Sequence, residues 1–158
     1  MLEIERKFLV NNEEYISLAF KKEFIKQGFL NTHPERTVRI RVINKKGYIT
    51  VKGKSNSSGA SRFEWEREIS FTDARALLDL CEDGVLEKDR YYVKSDRHII
   101  EVDVFKGENK GLVVAEIELN NEAEVFYKPS WMGDEVTGEI RYYNSRLSKV
   151  PYKQWIKD

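Results

Sequence analysis

In Val38-Arg39-Ile40-Arg41-Val42, and again in Ala115-Glu116-Ile117-Glu118-Leu119, every second residue is ionised and every residue between is apolar. A period of two belongs to the β-strand, whose successive side chains leave opposite faces. The pattern recurs at Glu3, Glu5 and Lys7 in residues 2–10, at Lys52 and Lys54 in 48–54, and at Glu64, Glu66 and Glu68 in 62–71. It returns at Lys88 and Arg90 in 86–93 and at Glu101 and Asp103 in 98–105. With the more apolar run 24–30 and the segments 37–43 and 112–119, the chain reads as eight strands. Turn-prone stretches such as Asn44-Lys45-Lys46-Gly47 join them. Helices are few: a short one after Asn11 or Asn12, one near 73–81 capped by Thr72, and one around 143–147. The predicted fold class is mainly β with some α, an antiparallel barrel or sandwich, forming one domain over residues 1–158.

The polar faces carry the information about function. Solvated faces ordinarily mix Thr, Ser, Gln and Lys; here they are almost purely charged, and single strands tend to carry one sign. Like charges side by side repel, so the pattern costs stability unless counter-charges stand between them. Cross-strand ion pairs on an outer surface, or chance, would account for it without any function. The sharper reading is a barrel charged within and apolar outside, its outer face covered by the helices. Such a lumen gathers nine carboxylates, Glu3, Glu5, Glu64, Glu66, Glu68, Glu101, Asp103, Glu116 and Glu118. Facing them are seven cations, Lys7, Arg39, Arg41, Lys52, Lys54, Lys88 and Arg90. Carboxylate oxygens suit Mg²⁺ or Mn²⁺, while Arg and Lys clamp phosphate oxygens. A barrel of this size encloses a narrow bore, wide enough for a linear triphosphate and too narrow for a folded nucleic acid.

Composition excludes more than it proposes. Twenty-seven Lys and Arg balance 27 Asp and Glu, against the basic excess of a dedicated nucleic-acid binder. Cys81 is the lone cysteine, which rules out an intrachain disulfide and a cysteine-based zinc cluster. Its expected place is the apolar face of a helix. Neither a basic-then-apolar leader nor a run of membrane-spanning length is found. The cytoplasm is therefore the expected address, with no membrane partner. The stretch Gly47 to Ser55 superficially looks like a phosphate-binding loop, but its glycines stand one residue too far apart and it alternates as a strand. His33 and His98 have no partner at metal-ligand spacing, and Trp65, Trp131 and Trp155 suit packing better than base stacking.

Taken in order, Glu3-x-Glu5-x-Lys7, Arg39-x-Arg41, Lys52, Glu64-x-Glu66, Lys88-x-Arg90 and Glu116-x-Glu118 resemble the CYTH superfamily, also called triphosphate tunnel metalloenzymes. The resemblance runs from residue 1 to Arg141-Tyr142-Tyr143-Asn144 and is nearest to the short bacterial members. It implies a closed antiparallel β-barrel of eight strands around a small-molecule triphosphate, with one or two divalent ions, Mg²⁺ or Mn²⁺. By position it implies Glu3, Glu5, Asp103, Glu116 and Glu118 at the metal, and Lys7, Arg39, Arg41, Lys52, Lys88 and Arg90 on the phosphates. Glu5, Lys7, Arg41, Glu116 and Glu118 become the catalytic candidates, while Glu64, Glu66 and Glu101 line the tunnel without an assigned role. Lys54 and Glu68, at strand ends, suit solvent as well as the lumen. The implied activity is hydrolysis of inorganic tripolyphosphate. A class IV adenylyl cyclase, a nucleoside or thiamine triphosphatase, or a non-catalytic polyphosphate-binding module are the alternatives, and a homodimer is left open.

Overall fold

The computed structural model describes residues 1–155 of the chain. Its strands and helices run β1 (Leu2–Val10), α1 (Glu14–Leu18), β2 (Lys21–Asn31), β3 (Arg36–Ile43), β4 (Lys46–Gly53), β5 (Ser61–Ile69) and α2 (Phe71–Leu78). They continue with β6 (Leu86–Ser95), β7 (His98–Phe105), β8 (Val113–Glu118), β9 (Met132–Glu135) and α3 (Asn144–Leu147). The strands pair antiparallel in the order β5-β4-β3-β2-β6-β7-β8-β1, and β1 returns to β5 to close a barrel of eight. Closure depends on β1 changing partners along its length: residues 2–4 pair with β5 and residues 5–9 with β8. β9, which the alternation does not predict, adds to β1 beside Phe8 and Val10. Arg6 ties it down through Glu135, with donor–acceptor distances of 2.8 and 2.6 Å.

Most apolar residues of the strands face outward, so the larger part of the core surrounds the barrel. Ile4, Phe8, Val93, Ile100, Val102, Ala115 and Ile117 are buried against Tyr15 of α1 and against Trp131. A second cluster, including Phe29, Leu86, Phe105, Val114, Tyr142 and Leu147, fills the end of the bore where β6 and β8 begin and β2 and β7 end, its strand residues pairing with the interior Arg39, Gln27, Lys88 and Asp103. There the C-terminal segment lies over one end of the barrel.

Local chemistry sets the helix boundaries. Asn12 accepts from the Glu14 amide at 2.9 Å just ahead of α1. Ser70, and not Thr72, caps α2: its hydroxyl accepts from the Asp73 amide at 3.0 Å. The hydroxyl must precede the amide it caps by two or three residues, and Thr72 already lies inside the helix. α2 lies across β2, β3 and β4 on the outside. Cys81 falls in the turn beyond α2 and packs on Gly28, where an added Cβ would stand 2.9 Å from the cysteine Cβ. Trp131 is core, and buried His98 pairs with Glu124 at 2.5 Å, anchoring the loop after β8. No helix among the described residues is long and apolar enough to cross a membrane.

Candidate active site

With the outer face taken by apolar residues, the alternate positions of each strand turn into the bore, and their charges meet there. Asp103, only 1% exposed, accepts from Arg90 through both oxygens at 2.7 and 3.0 Å and lies 2.7 Å from Lys88 Nζ. Arg90 also reaches Glu101 at 3.0 Å. On the opposite wall, Glu66 accepts from Thr50 at 2.6 Å, Arg39 at 3.3 Å and Arg41 at 3.4 Å. Lys52 bridges Glu3 and Glu64 at 3.1 and 3.2 Å, and Lys7 stands 3.6 Å from Glu116.

Glu5 takes part in none of these pairs. It sits directly across from Glu118 in the β1–β8 register, with Glu116 across from the neighbouring Lys7 and from Glu101 of β7. Burial, then the proximity of Glu116 and Glu3, raises the Glu5 carboxyl well above the ordinary range. Burial and Glu3 also push Glu118 up. Glu116 behaves oppositely: burial works against its charge, but Lys7, with Arg90 and Lys88, outweighs that and leaves its carboxyl lowered. Burial also weakens two cations, bringing Lys88 down to about 8 and Arg39, which has Arg41 beside it, to about 10.

Glu5 and Glu118 therefore present oxygen donors on adjacent strands with too little positive charge near them. That donor set fits a hard divalent cation. Among the described residues no three acidic, His or Cys side chains already converge on one point, so such an ion would draw them together.

Space is tight. The bore leaves a cavity of about 40 Å³, bordered by Lys7, Lys88, Arg90 and Tyr143 among others. The Glu66 carboxylate, which accepts from Arg39 and Arg41, occupies donors that a phosphate guest would use. At the opposite end, Tyr92, His98, Glu101 and Glu118 border an open cavity of about 470 Å³.

The structure thus brings Glu3, Glu5, Lys7, Arg39, Arg41, Lys52, Glu64, Glu66, Lys88, Arg90, Glu101, Asp103 and Glu116 to one interior. Glu118 is at the rim and exposed, and Lys54 and Glu68 face solvent. Asp103, expected at the metal, has both oxygens engaged by Lys88 and Arg90. The bore also contains residues the sequence pattern passed over: Thr50, Arg62, Gln27, Tyr143 and Asn144. Thr50 and Arg62 share strand parity with Lys52 and Glu64, so the period of two could have found them. Tyr143 and Asn144 arrive from the C-terminal segment, where no periodicity marks them.

A closed antiparallel barrel with most of its apolar residues outside and a network of ion pairs inside defines a tunnel protein for a small, multiply charged guest. More particularly, the chain belongs to the CYTH domain family, whose pattern matches residues 1–151. A protein of Acetivibrio thermocellus named inorganic triphosphatase is 51% identical over 154 residues, covering 97% of each chain. One of Nitrosomonas europaea with the same name is 35% identical over 152 residues, covering 94% of this chain and 97% of that one. The crystal structure of the inorganic triphosphatase NE1496 superposes with a TM-score of 0.64 at 32% identity, covering 92% of this chain and 97% of that one.

Proposed function

We propose that this chain is an inorganic triphosphatase that hydrolyses tripolyphosphate inside its tunnel, with Mg²⁺ or Mn²⁺ as cofactor. The observation that carries this reading is the division of the bore. Arg39, Arg41, Lys52, Lys88 and Arg90 line it as cations, beside an acidic group at Glu5 and Glu118 that lacks matching positive charge. The names of the two relatives support the same reading.

Glu3, Glu5, Glu116 and Glu118 would hold the metal, which when bound polarises the phosphorus and offsets charge on the phosphate oxygens. The interior arginines and lysines do the rest of the binding. Arg39 and Arg41 exchange Glu66 for phosphate oxygens, which match the same planar fork. Lys88 and Arg90, oriented by Asp103, neutralise charge that builds on the departing pyrophosphate. Lys7 and Lys52 flank the chain of phosphates. A water oxygen adds to the terminal phosphorus as the phosphoanhydride P–O bond breaks, giving orthophosphate and pyrophosphate. Positioning and electrostatics supply most of the rate in such transfers, so no Ser or Cys nucleophile is required.

Phosphate release measured across tripolyphosphate, ATP, thiamine triphosphate and pyrophosphate, with Mg²⁺, Mn²⁺ or excess chelator, tests this. Tripolyphosphate should lead, and chelator should abolish the activity. Release undiminished in chelator would overturn the metal-dependent mechanism. Preference for ATP, or cyclic AMP among its products, would overturn the choice of substrate.

A further inference from the structure

Lys88 is held by a second residue that none of the assigned roles includes. Asn144, at the start of α3, places Oδ1 2.9 Å from Lys88 Nζ and 2.9 Å from Gln27 Nε2. The amide orientation is forced. An ammonium only donates, so Asn144 must offer its oxygen. Gln27 must then offer its NH₂ group to that same oxygen. The consequence is visible: Gln27 has no exposed surface, and its Oε1 is buried without a partner. A buried acceptor left unpaired costs stability, which an apolar side chain of similar size at position 27 would avoid. Packing therefore does not explain the glutamine; what it holds in place does.

We propose that the Gln27–Asn144 amide pair is a positioning device that aims Lys88 at the bound triphosphate. The proposal rests on the triphosphatase reading above. Lys88 has three hydrogens. Asp103 takes one at 2.7 Å and Asn144 takes another, so the direction of the third is set before any guest arrives. Lys88 and Asn144 border the same cavity as Arg39 and Arg90, where a phosphate oxygen would meet that hydrogen. The carbonyl of Tyr142 accepts from Lys7 at 3.3 Å, so the C-terminal segment steadies two interior cations from one side. An ammonium fixed in advance need not reorganise during the reaction, and small misplacements of such groups are costly.

A double-mutant cycle with Asn144→Leu and Lys88→Met tests the proposal. Asn144→Leu should lower kcat/KM for tripolyphosphate about 10- to 100-fold. In the Lys88→Met background it should change kcat/KM by less than about twofold, because residues acting through one another are not additive. Equal losses in both backgrounds, or no loss in the folded single variant, would overturn the proposal. If Asn144→Leu does not fold, Gln27→Met replaces it: a several-fold loss that disappears without Lys88 supports the proposal, and one that persists overturns it. NMR of ¹⁵N-lysine-labelled protein reads the contact without substrate. The Lys88 ammonium signal should move in Asn144→Leu, which removes the acceptor. An unmoved signal overturns the positioning role even if the parent hydrolyses tripolyphosphate. If the parent hydrolyses no triphosphate, the function falls, and the same cycle is read on tripolyphosphate binding by calorimetry; absence of binding there overturns the positioning role as well.

Discussion

Glu5 is the residue whose charge state decides how the acidic group works. Burial and its acidic neighbours raise its carboxyl, so the folded chain keeps a proton that the unfolded chain has already lost. Across that window the folded state binds more protons, and the stability of the metal-free protein falls as pH rises. A divalent cation removes the penalty by displacing the proton. The gain in melting temperature on adding Mn²⁺ should therefore grow as pH rises through the window. Thermal unfolding with and without Mn²⁺ over a pH series checks this, and a gain independent of pH would count against Glu5 as a metal ligand. The two charge classes should also part under substitution. If Glu116 holds the metal as proposed, Glu116→Gln should lower turnover steeply and recover in part at high metal concentration. Arg41→Ala should impair both binding and rate with no rescue by metal. Each loss should be about 2–4 kcal/mol of transition-state stabilisation, roughly 30- to 1,000-fold. Steady-state kinetics on folded variants decides; parental rates for both would remove these strands from the active site.

Between elements, the strongest single constraint is Asp103, which joins β7 to β6 through Arg90 and Lys88. Burial opposes its ionisation, yet Arg90 and Lys88 hold its carboxyl well below the ordinary range. That stabilisation is present above the unfolded carboxylate's pKa and is lost as pH falls through the folded one. Asp103→Ala leaves buried Lys88 without a carboxylate and Arg90 with Glu101 alone, and should cost about 3–5 kcal/mol, read by urea unfolding. The exposed Lys54→Ala and Glu68→Ala should stay within about 0.5 kcal/mol. A cost for Asp103→Ala no larger than these would show that the cations find other partners. The alternation made strands such as β3, β4, β7 and β8 legible because their two faces meet different surroundings, the charged bore on one side and the apolar exterior on the other. β9 was not legible: Met132–Glu135 is too short to show a period, and the partners that hold it to β1, such as Arg6 and Glu135, stand 129 positions apart. The cap of α2 was misplaced because Ser70 and Thr72 are both acceptable capping types, and only the position of the Asp73 amide separates them.

Across the whole molecule, the barrel follows from one rule applied strand by strand, apolar outward and ionised inward, broken where Phe29, Leu86, Phe105 and Val114 close one end of the bore. Charge parity alone could identify the walls of the tunnel but not its floor. Asn144 and Gln27 reach the bore from segments 117 positions apart that carry no shared pattern. The same rule leads to a last expectation. A bore holding carboxylates and cations together repels each half of its guest: the acidic group opposes phosphate, and the Arg and Lys cluster opposes a metal ion. When both bind, the metal offsets the carboxylates and the phosphate offsets the cations, so each makes room for the other. By linkage this coupling is reciprocal, raising the affinity for each by the same factor. With a nitrogen-bridged tripolyphosphate analogue that resists hydrolysis, Mn²⁺ alone and analogue alone should each raise the melting temperature slightly. Together they should raise it by clearly more than the two separate gains combined. Calorimetry should show the analogue binding at least about tenfold tighter with Mn²⁺ present, a coupling of about 1.4 kcal/mol. Simple additivity would mean that metal and phosphate occupy independent sites, and the bore would then not be the place where they meet.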